Sequence, residues 1–150
     1  MKALTTLLVV GMFATAVAMA DDVDDVKAAL LSYFAALNAG DTDAYMQARL
    51  PEYSAFADGG LLNRSTSLEQ QRNNFQPSNA RRVNRSVRHL EVRVYGNTAV
   101  TTSYTVGTIT NPDGTTSPIN LQRTGVWIKQ GGEWKEVHHH RSPLNVAPPQ

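Results

Sequence analysis

The sequence contains no cysteine, which excludes a disulfide framework, a thiol nucleophile and every cysteine-ligated zinc or iron–sulfur centre. Stability must therefore come from packing. An excess of charge of one sign is also missing: 14 Lys and Arg face 13 Asp and Glu across 150 residues. That balance lacks the phosphate-neutralising surplus on which nucleic-acid affinity rests, so no nucleic-acid partner is expected. Long apolar runs are missing beyond the first twenty residues. There, Met1-Lys2 precedes an uncharged stretch from Ala3 to Ala20 that closes on Ala18-Met19-Ala20, and Asp21-Asp22-Val23-Asp24-Asp25 comes next. A basic start, apolar middle and small-x-small end read as a secretory signal peptide, residues 1–20, with the periplasm as the expected destination. An uncleaved anchor is the competing reading, since this stretch nearly reaches the roughly twenty residues of a membrane span. The alanine-rich end and the acidic run favour cleavage. Cleavage removes 15 of the 62 hydrophobic residues and leaves 130 residues with 13 basic and 13 acidic side chains. These suffice for one modest core and no membrane segment.

What is present is periodic. Val23, Val26, Leu30, Tyr33, Phe34 and Leu37 recur at intervals of three and four, which predicts a helix over 22–38 with one apolar face. Ala39-Gly40 supplies a stop, and Asp41 caps a second helix over 41–49 that Pro51 ends. Ser54-Ala55-Phe56-Ala57 reads as a short strand and Asp58-Gly59-Gly60 as a turn, and Ser67-Leu68-Glu69-Gln70 has the capping-box spacing of a third helix over 68–75. Beyond Val83 the pattern turns to strands. Leu90, Val92 and Val94 alternate with Glu91, Arg93 and Tyr95, and Gly96-Asn97 and Asn111-Pro112-Asp113-Gly114 are turns. Residues 119–129 and 133–141 form a hairpin across Gly131-Gly132 that carries Trp127 and Trp134, and 143–150 reads as an extended tail. Helices first and antiparallel strands afterwards imply an α+β domain over 21–142: a cone-shaped curved antiparallel sheet wrapped around the long N-terminal helix. The cavity of such a cone is a default ligand site, and its outer face a default surface for self-association.

Several stretches resemble a known family. Asn38-Ala39-Gly40-Asp41-Thr42-Asp43-Ala44-Tyr45 and Ser54-Ala55-Phe56 carry part of the likeness. Arg123-Thr124-Gly125-Val126-Trp127, with Gly132-Glu133-Trp134-Lys135-Glu136-Val137-His138-His139-His140-Arg141-Ser142, carries most of it. Together they resemble the association domain of calcium/calmodulin-dependent protein kinase II, within the nuclear transport factor 2-like, SnoaL-like superfamily, over residues 23–146. The resemblance implies a homodimer or higher oligomer and a pocket for a small carboxylate or other anionic ligand, with Arg141 at the position of a pocket arginine. It implies no kinase activity, because kinase catalysis and calmodulin binding belong to other segments of those kinases. Two positions depart from the pattern: Gly125 stands in place of a second pocket arginine, and His139 in place of a phenylalanine. Arg72, Arg123 and His139 are the candidates to compensate.

From the residues alone, alternation along the last strand places Val137, His139 and Arg141 on one face and Trp134, Glu136, His138 and His140 on the other. With Val137 inward, Arg141 enters the cavity, where a guanidinium needs an anion. That anion is either a ligand or an internal carboxylate such as Asp58. His139 on the same face is a candidate for proton transfer. The run Tyr33 to Gly40 also resembles the first helix of ketosteroid isomerases, which implies Tyr33 as a donor to a developing enolate and Asp58, displaced by one residue, as the base. The alternative is a core tyrosine and a turn-forming aspartate. His138 and His140 make half a metal site without a third ligand, so no metal and no other cofactor is expected.

Charge is unevenly spread. Seven of the ten arginines lie between Arg64 and Arg93 beside two acids, whereas residues 21–63 hold eight acids and two basic side chains. The asymmetry steers an anion, pairs unlike halves of two copies, or is simply solvated. Trp127, Trp134 and the strand valines exceed what one helix covers and point to a homodimer through the sheet. Function stands between a ligand-binding, oligomerising module and a small isomerase, cyclase or dehydratase that uses His139, Tyr33 or Asp58.

Overall fold

The computed structural model describes residues 9–57, 62–74 and 82–144; Asp58, the Gly59-Gly60 turn, Phe75 and the tail over 145–150 lie outside the described residues. Helix α1 (Val9–Ala39) is followed by α2 (Thr42–Gln47), β1 (Arg49–Phe56), β2 (Leu62–Ser65) and α3 (Leu68–Asn74). Strands β3 (Arg82–Tyr95), β4 (Thr98–Thr110), β5 (Thr116–Gln130) and β6 (Glu133–Pro143) complete the chain. The strands form one curved sheet in the order β2-β1-β6-β5-β4-β3, and the expected α+β architecture holds. Four of the five neighbouring pairs are antiparallel as expected; β1 runs parallel to β6.

The helical period places Val26, Leu30, Tyr33, Phe34 and Ala36 of α1 in the core, where Val87, Leu90, Val92 and Val94 of β3 pack against the same cluster. Asp41 caps α2 by accepting from the Ala44 N–H at 3.0 Å. Ser67 Oγ accepts from the Gln70 N–H at 3.1 Å, and Gln70 Oε1 accepts from the Thr66 N–H at 2.8 Å, which fixes the start of α3. The second helix is shorter than its spacing predicts: it ends at Gln47, and Arg49, Leu50 and Pro51 already belong to β1. Proline fits there because the register with β6 is broken between Arg49 and Ser54, so its missing N–H falls at an irregularity of the ladder. Gly131 and Gly132, with φ of +61° and +85°, supply the two left-handed positions that the tight β5–β6 turn requires.

The tryptophans correct the expectation for the surface. Trp127 is fully buried and Trp134 nearly so, both in the core, and Trp127 Nε1 donates to Thr101 Oγ1 at 3.2 Å. The outer face of the sheet carries Tyr104 and Phe56 instead. Among the described residues no helix is long and apolar enough to cross a membrane.

Candidate functional site

Strand β6 sets the site through an irregularity. Strict alternation puts Glu136 and His139 on opposite faces, but Trp127 pairs with Glu136 and Val126 with His138, which leaves Val137 without a register partner. Such a bulge reverses the phase of the strand. Trp134 and Glu136 before it and His139 after it all point inward, with exposures of 5%, 0% and 4%. The expected assignment of faces is thereby corrected. Val137 is displaced and half-buried, and Glu136 joins His139 inside. Arg141 keeps the face of His139; it is half-buried and in register with Arg123 of β5.

Around this strand the interior fills with charge and phenol. Arg123 Nη2 donates to Glu136 Oε1 in a buried ion pair. The other carboxylate oxygen lies 3.2 Å from His139 Nδ1, which is also 2.5 Å from the Tyr53 hydroxyl. Arg49, the first residue of β1, donates from Nη2 to the Tyr33 oxygen at 2.9 Å and to the Tyr45 hydroxyl. Those two phenolic oxygens are 3.1 Å apart. The Arg49 guanidinium carbon lies 4.1 Å from the ring centroids of both Tyr45 and Tyr53, a stacking that suits its weak hydration. Gly125 makes room for the ion pair: a Cβ there would stand 2.8 Å from Thr101 Oγ1, 2.9 Å from Arg123 Nη1 and 3.0 Å from Glu136 Oε1.

Burial raises the Glu136 carboxyl, but Arg123, His139 and Arg49 outweigh it and hold the group down at about 2. Burial lowers His139, and although Glu136 pulls the other way, the two guanidiniums help to keep it at about 4, so the imidazole is neutral near pH 7. Tyr45 and Tyr53 are pushed up, first of all by burial. Tyr33 is different. Burial opposes its ionisation most, yet Arg49, with help from Arg123 and the Tyr45 hydrogen bond, brings it below the usual phenol range. Arg49 and Arg123 both stay charged. Two guanidiniums and one carboxylate leave one positive charge in excess. Among the described residues, Arg49 Nε and Arg123 Nη1 are buried without a hydrogen-bond partner.

The structure brings Tyr33, Arg123 and His139 together, with Arg141 beside them. Arg123 is not a free substitute for the second pocket arginine, because Glu136 neutralises it. Arg72 is outside the site: it is exposed on α3 and pairs with Asp43. Asp58 lies outside the described residues; the internal carboxylate observed is Glu136, paired with Arg123. His138 sits 2.8 Å from Ser54 Oγ and His140 is exposed beside Phe56. Among the described residues no group of three or more His, Cys, Asp and Glu side chains is placed to hold a metal. Sequence reasoning missed Arg49, Tyr45, Tyr53 and, as a site residue, Glu136. The four-residue spacing of Tyr45, Arg49 and Tyr53 was an available signal.

These features define an α+β cone domain whose interior is charged and walled by tyrosines. Residues 23–145 match the family model of the calcium/calmodulin dependent protein kinase II association domain, and the chain belongs to that family. The CaMKII hub of S. rosetta is 25% identical, with a TM-score of 0.66 over 81% of this chain and 96% of the hub. A provisionally assigned association domain from Xanthomonas campestris is 22% identical, with a TM-score of 0.69 over 81% of this chain and 87% of that one. A provisionally assigned dehydratase of the NTF2-like family from Streptomyces avermitilis is 20% identical, with a TM-score of 0.72 over 84% of this chain and 98% of that one. The last two likenesses establish the fold.

Proposed function

We propose that the chain is an exported, self-associating module that holds a small anionic ligand inside its cone and carries out no kinase chemistry. The observation that carries the ligand reading is the excess buried positive charge, with Arg49 Nε and Arg123 Nη1 left without partners among the described residues. A buried cation in that condition is stabilised by any anion able to reach it. Arg141, half-buried on the same face, supplies the outer end of the same pocket. A thermal-shift screen with acetate and longer carboxylates tests this, because a ligand that binds only the folded chain raises its Tm. The wild type is expected to respond and Arg141→Ala to lose the response. The absence of any carboxylate response would end the ligand reading, and an undiminished response in Arg141→Ala would remove that residue from the site.

Self-association is supported by membership of an association-domain family and by the outer face of the sheet. That face holds a groove of about 590 Å³ across β3 to β6, lined by His89, Tyr104, Gln122, Thr124 and His140. Tyr104 and, at the β1 side, Phe56 are both more than a third exposed. Two copies packed through this groove would cover them. Sedimentation is expected to show a dimer or larger species, and a monomer at high micromolar concentration would contradict it. Export rests on the first twenty residues alone.

A second reading, proton transfer by a small isomerase, cyclase or dehydratase, is favoured by one arrangement. The Tyr33 and Tyr45 hydroxyls converge under Arg49, which also stacks on Tyr53, the hydrogen-bond partner of a neutral His139, as oxyanion donors near a base would. Loss of turnover with retained binding in His139→Gln would select this reading.

A further inference from the structure

The buried cluster has a charge imbalance that the residues themselves are able to correct. Arg49 and Arg123 are 7% and 5% exposed, and Glu136 is fully buried. The imidazole of His139 is neutral, so these groups sum to one uncompensated cation in a region shielded from water. An isolated buried charge is among the most costly features a fold can hold. A second negative charge is therefore favoured inside even before any ligand arrives.

The geometry singles out one group to supply it. Arg49 Nη2 donates to the Tyr33 oxygen at 2.9 Å, and the Tyr33 hydroxyl donates to the Tyr45 oxygen at 3.1 Å, a bond whose direction reverses once Tyr33 is ionised. The Arg123 guanidinium carbon also lies 5.4 Å from the Tyr33 ring centroid, so Tyr33 is flanked by both cations. Tyr53 instead meets the His139 ring nitrogen. The groups that act on Tyr33 from each neighbouring element are Tyr45 on α2, Arg49 on β1, Arg123 on β5 and Glu136 on β6, and only Glu136 opposes a phenolate.

We propose that Tyr33 is the internal counter-anion of this cone: its phenol gives its proton to solvent in the folded chain, and the phenolate pairs with Arg49 until an external anion takes its place. Phenolate plus Arg49, Arg123 and Glu136 sum to zero. An added monoanion makes the sum negative, so Tyr33 takes one proton back from solvent as the anion binds, and neutrality is restored. No oxidant or co-reactant is needed. Anion binding in this protein is proton-linked, and a protein that carries its own removable counter-charge favours anions as pH falls. The coupled step rests on the ligand reading above; the phenolate itself does not.

The test uses the full chain. An ultraviolet difference titration reads the phenolate band that phenol lacks, and NMR of Cζ-labelled tyrosine counts the ionised rings in the wild type without any substitution. About one phenolate per chain is expected to form below the ordinary tyrosine range near 10, and Tyr33→Phe is expected to lose it while Tyr53→Phe keeps it. Acetate is expected to abolish the signal, and its Kd to weaken about tenfold per pH unit above the midpoint. No ionised tyrosine below the ordinary range, or one that survives in folded Tyr33→Phe, overturns the proposal even if acetate binds. A phenolate that acetate leaves untouched, with no acetate binding, upholds Tyr33 as counter-anion and removes the ligand reading instead. Acetate binding that leaves the phenolate in place overturns the exchange.

Discussion

Two parts of one interior are built side by side on β5 and β6. Toward the turn that joins them, Trp127, Trp134 and Ala99 close over Val26 and Leu30 of α1 in an apolar core. A few residues further along the same strands, Arg123 pairs with Glu136 beside His139, under a wall of tyrosines. The apolar part stabilises in the ordinary way, by removing surface from water. The charged part does not: burying an ion pair costs about as much in desolvation as it returns in attraction. The first part therefore holds the fold, and the second, which adds little net stability, suits the ligand site proposed above.

The largest expected effect breaks the charged part on one side only. Glu136→Ala leaves Arg123 buried and unpaired and should destabilise by about 3–5 kcal/mol in denaturant unfolding. The double variant Arg123→Met, Glu136→Leu removes both charges and should recover most of that loss, whereas Trp127→Ala in the apolar part, expected to cost about 3–5 kcal/mol, has no comparable rescue.

Acid separates the two parts next. The folded-state value of His139, about 4, lies below the ordinary 6.5, so the unfolded chain takes up its proton first and stability falls as pH drops from 6.5 toward 4. Glu136 adds a second loss as pH falls from 4.5 toward about 2. Each step is worth about 3 kcal/mol. His139→Gln should remove the upper step and shrink the lower one, because His139 is among the groups that hold Glu136 down; a series of unfolding curves across this range will read both. A smaller effect is expected at Gly125, where an added methyl meets Thr101, Arg123 and Glu136 at 2.8–3.0 Å. Gly125→Ala should cost about 1–3 kcal/mol by overpacking. Smallest of all is Arg72→Ala: its pair with Asp43 is exposed, so the loss should stay within about 1 kcal/mol.

The apolar part was legible in the sequence. Period-3.6 spacing gave the buried face of α1, alternation gave the inward valines of β3, and capping residues fixed the starts of α2 and α3. The tryptophans lie on the opposite side from the one their size suggests, because the inside of the sheet is deep enough to hold both. The charged part was legible only in fragments. Tyr33, Arg123, His139 and Arg141 were singled out, but alternation sent Glu136 to the opposite face from His139, and nothing in the residue pattern announces the bulge at Val137 that brings them together. Arg49 was hidden for a different reason: its helix stops two residues earlier than the proline suggested, and the strand that follows turns it inward.

Whether the charged part is a binding site, as proposed, rather than a source of stability is read from one pair of melting curves. Wild type and the Arg49→Met variant, which removes the excess cation and leaves the Arg123–Glu136 pair intact, are each heated with increasing acetate. A variant that is folded with a Tm near that of wild type but gains nothing from acetate, while the wild type gains steadily, is the predicted result. A variant that responds to acetate as strongly as the wild type, or a wild type that does not respond at all, would contradict it.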